Sequence, residues 1–298
     1  RFTVEPDGIR FGLVAIKNIG RGFIQSVVRE REQGGSFTSL QDFCDRMYDC
    51  GDMNKRAVEN LIRSGAFDSM GARRSQLLAV YEKVLDGIGN VRRRNVEGQI
   101  DFFGMSAANS TVETVVMPDI PEFTATERMH MEKETTGLYL SGHPMVGYRA
   151  AARSSGAVTL NEILEDVSSE EGPTRFADGM PVTVAGIVAS SKTRPTKNGT
   201  LMAYVVLEDE TASMELLCFS RVLDKCASYL AVNSPVLIKG RLSLRDEKPP
   251  QIVPDVVFPM NGSELPEGQK APENGAAAVY LRVKSIDDPA FSHLPVSY

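Results

Sequence analysis

Apolar positions in the first third of the chain recur at helical spacing: Phe23 and Val27, then Val58, Leu61 and Ile62, then Leu77, Leu78, Tyr81 and Leu85. Recurrence at three and four residues predicts amphipathic helices. Over residues 13–90 the pattern is broken by glycine-containing joints at 18–22, 33–36, 64–66 and 69–71, which divide it into four or five short helices. From residue 92 to about 120 the periodicity vanishes and Ser, Thr, Asn and Gly dominate, as in a linker. Residues 124–140 are charged and helix-like and stop at Ser141-Gly142-His143-Pro144, and 151–178 read as a connector with an acidic stretch.

After Gly179 the spacing changes. Five runs rich in Val, Ile and Leu, at 180–190, 201–207, 214–219, 235–244 and 251–258, are separated by Asn198-Gly199, by 208–211 and by 246–250. A helical stretch at 221–230 lies between the third and fourth runs. Five strands with a helix between strands three and four is the order of an OB-fold barrel. The expectation is a multi-domain α + β chain. An all-α region with tandem helix-hairpin-helix joints occupies 1–98, a peptide in a linker 99–103, a helical connector 104–178, a five-stranded OB-fold β-barrel 179–260, and the start of a C-terminal tail domain 261–298.

The 298 residues, 42% of them hydrophobic, supply cores for two or three domains. No apolar run is long enough to span a membrane and no charged-then-apolar leader is present, so a cytoplasmic protein is expected. The chain opens on Arg1 and runs straight into patterned sequence, which reads as a piece of a longer polypeptide. Cys44, Cys50, Cys218 and Cys226 form no C-x-x-C pair and have only His130, His143 and His293 as possible co-ligands, so free thiols are expected and a zinc site is not. The net charge of −6 argues against a nucleic-acid binder, but it is unevenly spread. Residues 1–98 hold 16 Lys and Arg against 13 Asp and Glu, a balance of +3, and the remainder holds 17 against 26, a balance of −9.

The first joint has a physical logic. A helix ending near Lys17, a turn through Asn18, Ile19 and Gly20, and a new helix near Phe23 would aim free backbone N–H groups at a phosphate, beside Lys17, Arg21 and Gly22. Helix-hairpin-helix elements bind the DNA backbone in this way. The usual motif is Gly-apolar-Gly; here Asn18 stands at the first glycine, and asparagine tolerates the left-handed conformation. Ser64 and Gly65, with Arg73 and Arg74 beyond, form a second joint of the same kind. Both joints are equally compatible with plain helix connections.

In the linker, Gln99, Ile100, Asp101, Phe102 and Phe103 place a glutamine, an aliphatic residue and paired aromatics in polar surroundings. This looks like the peptide that bacterial proteins insert into the sliding clamp, its apolar side chains filling a groove while Gln99 fixes register. The alternative is that both phenylalanines fold back onto the chain's own core. In the barrel, Lys192, Arg194 and Lys197 make a basic first hairpin, Tyr204 and Phe219 on strands two and three offer stacking faces, and Arg245 belongs to the opposite wall, a set suited to single-stranded nucleic acid. Against it stand the acidic Glu208, Asp209, Glu210 and Glu215, and the use of aromatics as barrel core.

No Asp-x-Asp on an apolar strand and no Gly-x-x-x-x-Gly-Lys-Ser/Thr is present, and His143, beside Pro144, falls in no catalytic sequence pattern and reads as a structural or capping histidine. No catalytic residue, metal ligand or cofactor site is therefore expected in this chain.

Four blocks, 11–20 (Phe-Gly-Leu-Val-Ala-Ile-Lys-Asn-Ile-Gly), 61–68 (Leu-Ile-Arg-Ser-Gly-Ala-Phe-Asp), 99–103 and 132–144 (Glu-Lys-Glu-Thr-Thr-Gly-Leu-Tyr-Leu-Ser-Gly-His-Pro), resemble the alpha-subunit family of bacterial DNA polymerase III in its part following the catalytic core. The resemblance covers roughly residues 5–260, in the family's order. It implies that the parent polypeptide is a Mg2+-using DNA-directed DNA polymerase, a nucleotidyltransferase of the replisome at the nucleoid, with its catalytic carboxylates upstream. It implies further that the hairpins contact duplex DNA, the 99–103 peptide binds the sliding clamp (beta subunit), the barrel lies near single-stranded template, and the clamp-loader tau subunit binds beyond the tail. Two other classes fit parts of the pattern: an OB plus helix-hairpin-helix accessory factor that remodels branched DNA, and an enzyme fragment such as a nuclease or the anticodon-binding part of a tRNA synthetase.

Overall fold

The structure, a computed structural model, describes residues 3–5, 8–10, 12–51, 53–96, 115–169, 172–196, 198–245 and 248–260. The chain forms two compact units, which divide between Val146 and Gly147, inside the stretch read as one connector. A two-stranded sheet, β1 (Thr3–Glu5) with β2 (Gly8–Arg10), precedes the helices in the chain. Among the described residues no helix is long and apolar enough to cross a membrane.

In the helical unit, α1 (Arg21–Gly34), α2 (Leu40–Met47), α3 (Lys55–Arg63) and α4 (Arg74–Val96) surround one core, and α5 (Ala125–Thr136) lies against α3. Phe23, Phe43, Met47, Val58, Ile62, Phe67, Leu77 and Ile88 meet in that core. Phe43 is its hub, edge-on to Phe37 and Phe67 at 5.0 and 5.1 Å between ring centroids. Local sequence sets the helix starts: the Ser39 hydroxyl accepts the Asp42 N–H, the Asn54 side chain accepts the Ala57 N–H, and Thr124 forms a capping box with Glu127. The helical spacing anticipated these elements, but not all their ends. The linker was expected from residue 92, whereas α4 continues to Val96 because Arg92 is anchored to Asp49 (2.6 Å) and Asp45 (3.3 Å) across the unit. Helix α5 stops at Thr136, where Gly137 takes φ 84 as its left-handed cap.

The second unit contains α6 (Arg149–Ser154), α7 (Leu160–Val167) and five strands, β3 (Pro181–Pro195), β4 (Leu201–Glu208), β5 (Ser213–Cys218), β6 (Pro235–Ser243) and β7 (Gln251–Pro259), with α8 (Ser220–Cys226) between β5 and β6. The strands close into a barrel in the order β3-β4-β5-β7-β6, with β5 and β7 parallel. This is the OB-fold that the five apolar runs predicted. Strand period 2 sorts the side chains: Ala203, Val205 and Leu207 point into the core, and Tyr204 and Val206 away from it. The segment before the barrel belongs to it, since Leu160 and Ile163 of α7 are fully buried in the barrel core.

Part of the acidic complement has structural work. The Asp209 carboxylate accepts N–H bonds from Leu160 (2.7 Å), Thr211 (2.7 Å) and Ala212 (2.8 Å), which makes it the β4–β5 turn and ties that turn to α7. Asp166 accepts the Phe176 N–H (2.8 Å), the Thr174 hydroxyl (2.7 Å) and the Thr174 and Arg175 N–H groups, and these donors hold its carboxyl down at about 2. The four cysteines are free, and burial pushes the Cys44 and Cys218 thiols up to about 12.

Candidate nucleic-acid interface

The first joint is a hairpin with an unusual first arm. Leu13–Ala15 form a single 3-10 turn, and Ile16 is already extended, so the helix expected up to Lys17 is not there. The reason is tertiary: the Lys17 N–H donates to the Thr135 carbonyl at the end of α5 (2.8 Å) instead of to a carbonyl of its own turn. Lys17 is held twice more, its ammonium donating to the Glu134 carbonyl (2.7 Å) and its own carbonyl accepting from the Asn60 side chain (2.7 Å). Asn18 then takes φ 63, the left-handed conformation its side chain tolerates. Gly20 is the N-cap, and α1 begins at Arg21, two residues earlier than expected. No side chain caps α1, so the positive end of its dipole, with Arg21 and Gly22 in its first turn and Ile19 half-buried behind, faces outward beside Lys17.

The second joint is different, and the structure withdraws it from the candidate site. Gly65 has φ 82, and the Gly65 and Ala66 N–H groups close back on Ile62 and Leu61, a Schellman stop for α3. Ser64 is 8% exposed and donates its hydroxyl to the Leu61 carbonyl. At the start of α4 the Arg74 and Ser75 N–H groups both donate to the Glu122 carboxylate (2.8 and 3.1 Å). Burial works against the Glu122 charge, yet the N–H groups of Phe123, Ser75 and Arg74 outweigh it and hold the carboxyl below its usual range. The anion site of this helix is thus filled from within. Arg74 is 4% exposed and paired to Asp68 (2.6 Å) and Glu132 (3.0 Å), out of reach of a phosphate, and Arg73 is turned to the Ile120 carbonyl (2.7 Å). Glu122 and Glu132 lie 48 and 58 residues from Arg74, a separation no spacing rule bridges.

On the barrel, β3 continues to Pro195, so Lys192 and Arg194 stand on a strand rather than in the expected loop. Lys192 lies directly opposite Tyr204 and Arg194 opposite Met202. The Arg194 guanidinium carbon is 6.0 Å from the Tyr204 ring centroid, and both cations are exposed, so these three form one basic-aromatic patch. Phe219 is not on a strand: it is the N-cap of α8, 44% exposed, one residue past the Ala203–Cys218 pair and so at the same end of the ladder. Arg245 is exposed beyond the end of β6. Lys197 and the whole 99–103 peptide, Gln99, Ile100, Asp101, Phe102 and Phe103, lie outside the described residues.

Comparison with known proteins agrees with this division. Residues 1–77 match the helix-hairpin-helix motif family, and residues 182–260 the family described as OB-fold nucleic acid binding domain. The DNA polymerase III subunit alpha of Vibrio cholerae is 34% identical over 83% of this chain and 20% of its own length. Those of Deinococcus radiodurans and Thermus aquaticus are 33% and 31% identical, over 89% and 99% of this chain and 20% and 23% of theirs. The chain spans about one fifth of the length of these curated relatives. Over that fifth, the chain belongs to the family of DNA polymerase III alpha subunits.

Proposed function

We propose that this chain is a DNA-handling and clamp-binding segment of a replicative polymerase alpha subunit, serving nucleotidyl transfer carried out elsewhere in the parent polypeptide with Mg2+. The observation that carries the reading is the contrast between the two helix starts: α1 is uncapped behind left-handed Asn18, while α4 is filled by Glu122. Only the first can take a phosphate, so one hairpin, not two, binds the duplex backbone without reading sequence. The barrel takes single-stranded template on the Lys192, Arg194 and Tyr204 patch, with Phe219 and Arg245 at its margins. The Gln99, Ile100, Asp101, Phe102 and Phe103 peptide holds the sliding clamp, and the tau subunit binds beyond this chain.

Duplex binding is tested by fluorescence anisotropy across a salt series. Arg21→Ala should weaken binding several-fold for every sequence and lower the log-log salt slope by about 0.9, the value for one phosphate contact. An unchanged slope removes the hairpin assignment. For the clamp, Gln99→Ala with Phe102→Ala and Phe103→Ala should abolish capture by immobilised sliding clamp; retained capture removes the peptide assignment.

A further inference from the structure

The outer face of β6 and β7 carries a second set of cations beside an aromatic. Along β6 the buried residues Val236, Ile238, Gly240 and Leu242 alternate with outward Leu237, Lys239, Arg241 and Ser243. Lys239 and Arg241 are therefore neighbours on one face, ~7 Å apart along the strand, and exposed Arg245 follows two residues past its end. Across the ladder, β7 places Val256 opposite Lys239 and Phe258 opposite Leu237. Both are large apolar side chains left open, 40% and 43% exposed. The Lys239 ammonium lies 6.0 Å from the Phe258 ring centroid. A bulge between Lys239 and Gly240 turns the ribbon here, and a Cβ at Gly240 would come within 2.4 Å of the Val253 carbonyl, so the close approach of the two strands requires glycine.

We infer that this face is a second track for single-stranded nucleic acid, on strands other than those of the Lys192, Arg194 and Tyr204 patch. A row of cations matches the phosphates of an extended strand, and an open aromatic beside them offers a base its stacking face. Among the described residues, Asp255 lies on the row 3.8 Å from Arg241, with both side chains mostly exposed (62% for Arg241, 59% for Asp255). An exposed pair of that length is weak, and a phosphate can take the place of Asp255. Apolar Val256, directly opposite Lys239, suits the edge of a sugar or base better than it suits water. The track rests on the reading of the barrel as a single-strand binder.

The test is titration of the full chain with fluorescent oligothymidylate at several salt concentrations. Lys239→Ala with Arg241→Ala should weaken binding about tenfold at low salt and lower the log-log salt slope by about 1.4, two cations at the single-strand value. Phe258→Leu should weaken binding roughly fivefold or more with the slope unchanged, and Phe258→Tyr, which keeps the ring, should retain it. These side chains are exposed, so the barrel's melting transition serves as the folding control. If all these variants bind as the parent does while Arg194→Ala with Tyr204→Ala binds more weakly, the track is overturned and the barrel reading stands. If the parent binds no oligothymidylate at low salt, the barrel reading falls and the track with it.

Discussion

The Arg74 guanidinium sits 3.0 Å from the Glu132 carboxylate with both side chains almost wholly buried, 5% and 1% exposed. The other Glu132 oxygen accepts the Leu140 N–H (2.9 Å), the Ser141 N–H (2.8 Å) and the Ser141 hydroxyl (3.0 Å). Block 132–144, specific in sequence but without an evident chemistry, thereby gains a physical account. One carboxylate locks the chain after α5 onto the start of α4, and the end of α5 carries the carbonyls of Thr135 and Glu134 that hold Lys17.

Glu132→Ala is therefore expected to destabilise the helical unit by about 1–3 kcal/mol, because it removes one of the two carboxylate partners of the buried Arg74 guanidinium and the shared acceptor of the Leu140 and Ser141 N–H groups. Glu132→Gln keeps an acceptor in place and should cost less. Chemical denaturation followed by circular dichroism measures both; equal, small losses would show that the pair is not holding the unit.

At Asn18, φ 63 separates side chains by their backbone tolerance. Asn18→Gly should be nearly neutral, and Asn18→Val should cost about 1–2 kcal/mol. Duplex affinity should follow the same order, since the turn sets where α1 begins.

In the barrel, Gly240→Ala forces a Cβ against the Val253 carbonyl and the Pro254 Cα at 2.4 and 2.8 Å, both backbone atoms that cannot swing aside. A loss of about 1–3 kcal/mol is expected. Calorimetry should show a lower barrel transition with the helical transition in place; a shift of both would contradict independent cores.

Asp166 sets a pH dependence. Its carboxyl is lowered from the ordinary 3.8 to about 2, so the ionised form is the one folding favours. The stabilisation is complete above about pH 4 and is lost as pH falls through about 2. Carboxyl NMR should place the Asp166 titration well below that of other aspartates, and Asp166→Asn should remove this part of the barrel's acid sensitivity. An Asp166 midpoint near 4 would refute the assignment.

The sequence by itself determined what depends on neighbours a few residues away. Alternation of Val, Ile and Leu gave five strands in OB order, three- and four-residue spacing gave the helices, Asn18 marked the left-handed turn, and Thr124 opened a helix-like run. What it left open depends on partners far along the chain. Both joints read alike because each pairs glycine with nearby arginines, yet Arg21 stays at an open helix start while Arg74 is drawn inward by Glu132, 58 residues away, and the amides of α4 are filled by Glu122. Lys192 and Arg194 became a patch with Tyr204 only when strand register set them side by side, and Lys239 met Phe258 in the same way. Charge and residue type are written in the sequence. Whether a cation faces solvent or a buried carboxylate is decided by packing, because burying a charge is tolerated only where the fold supplies its counter-ion.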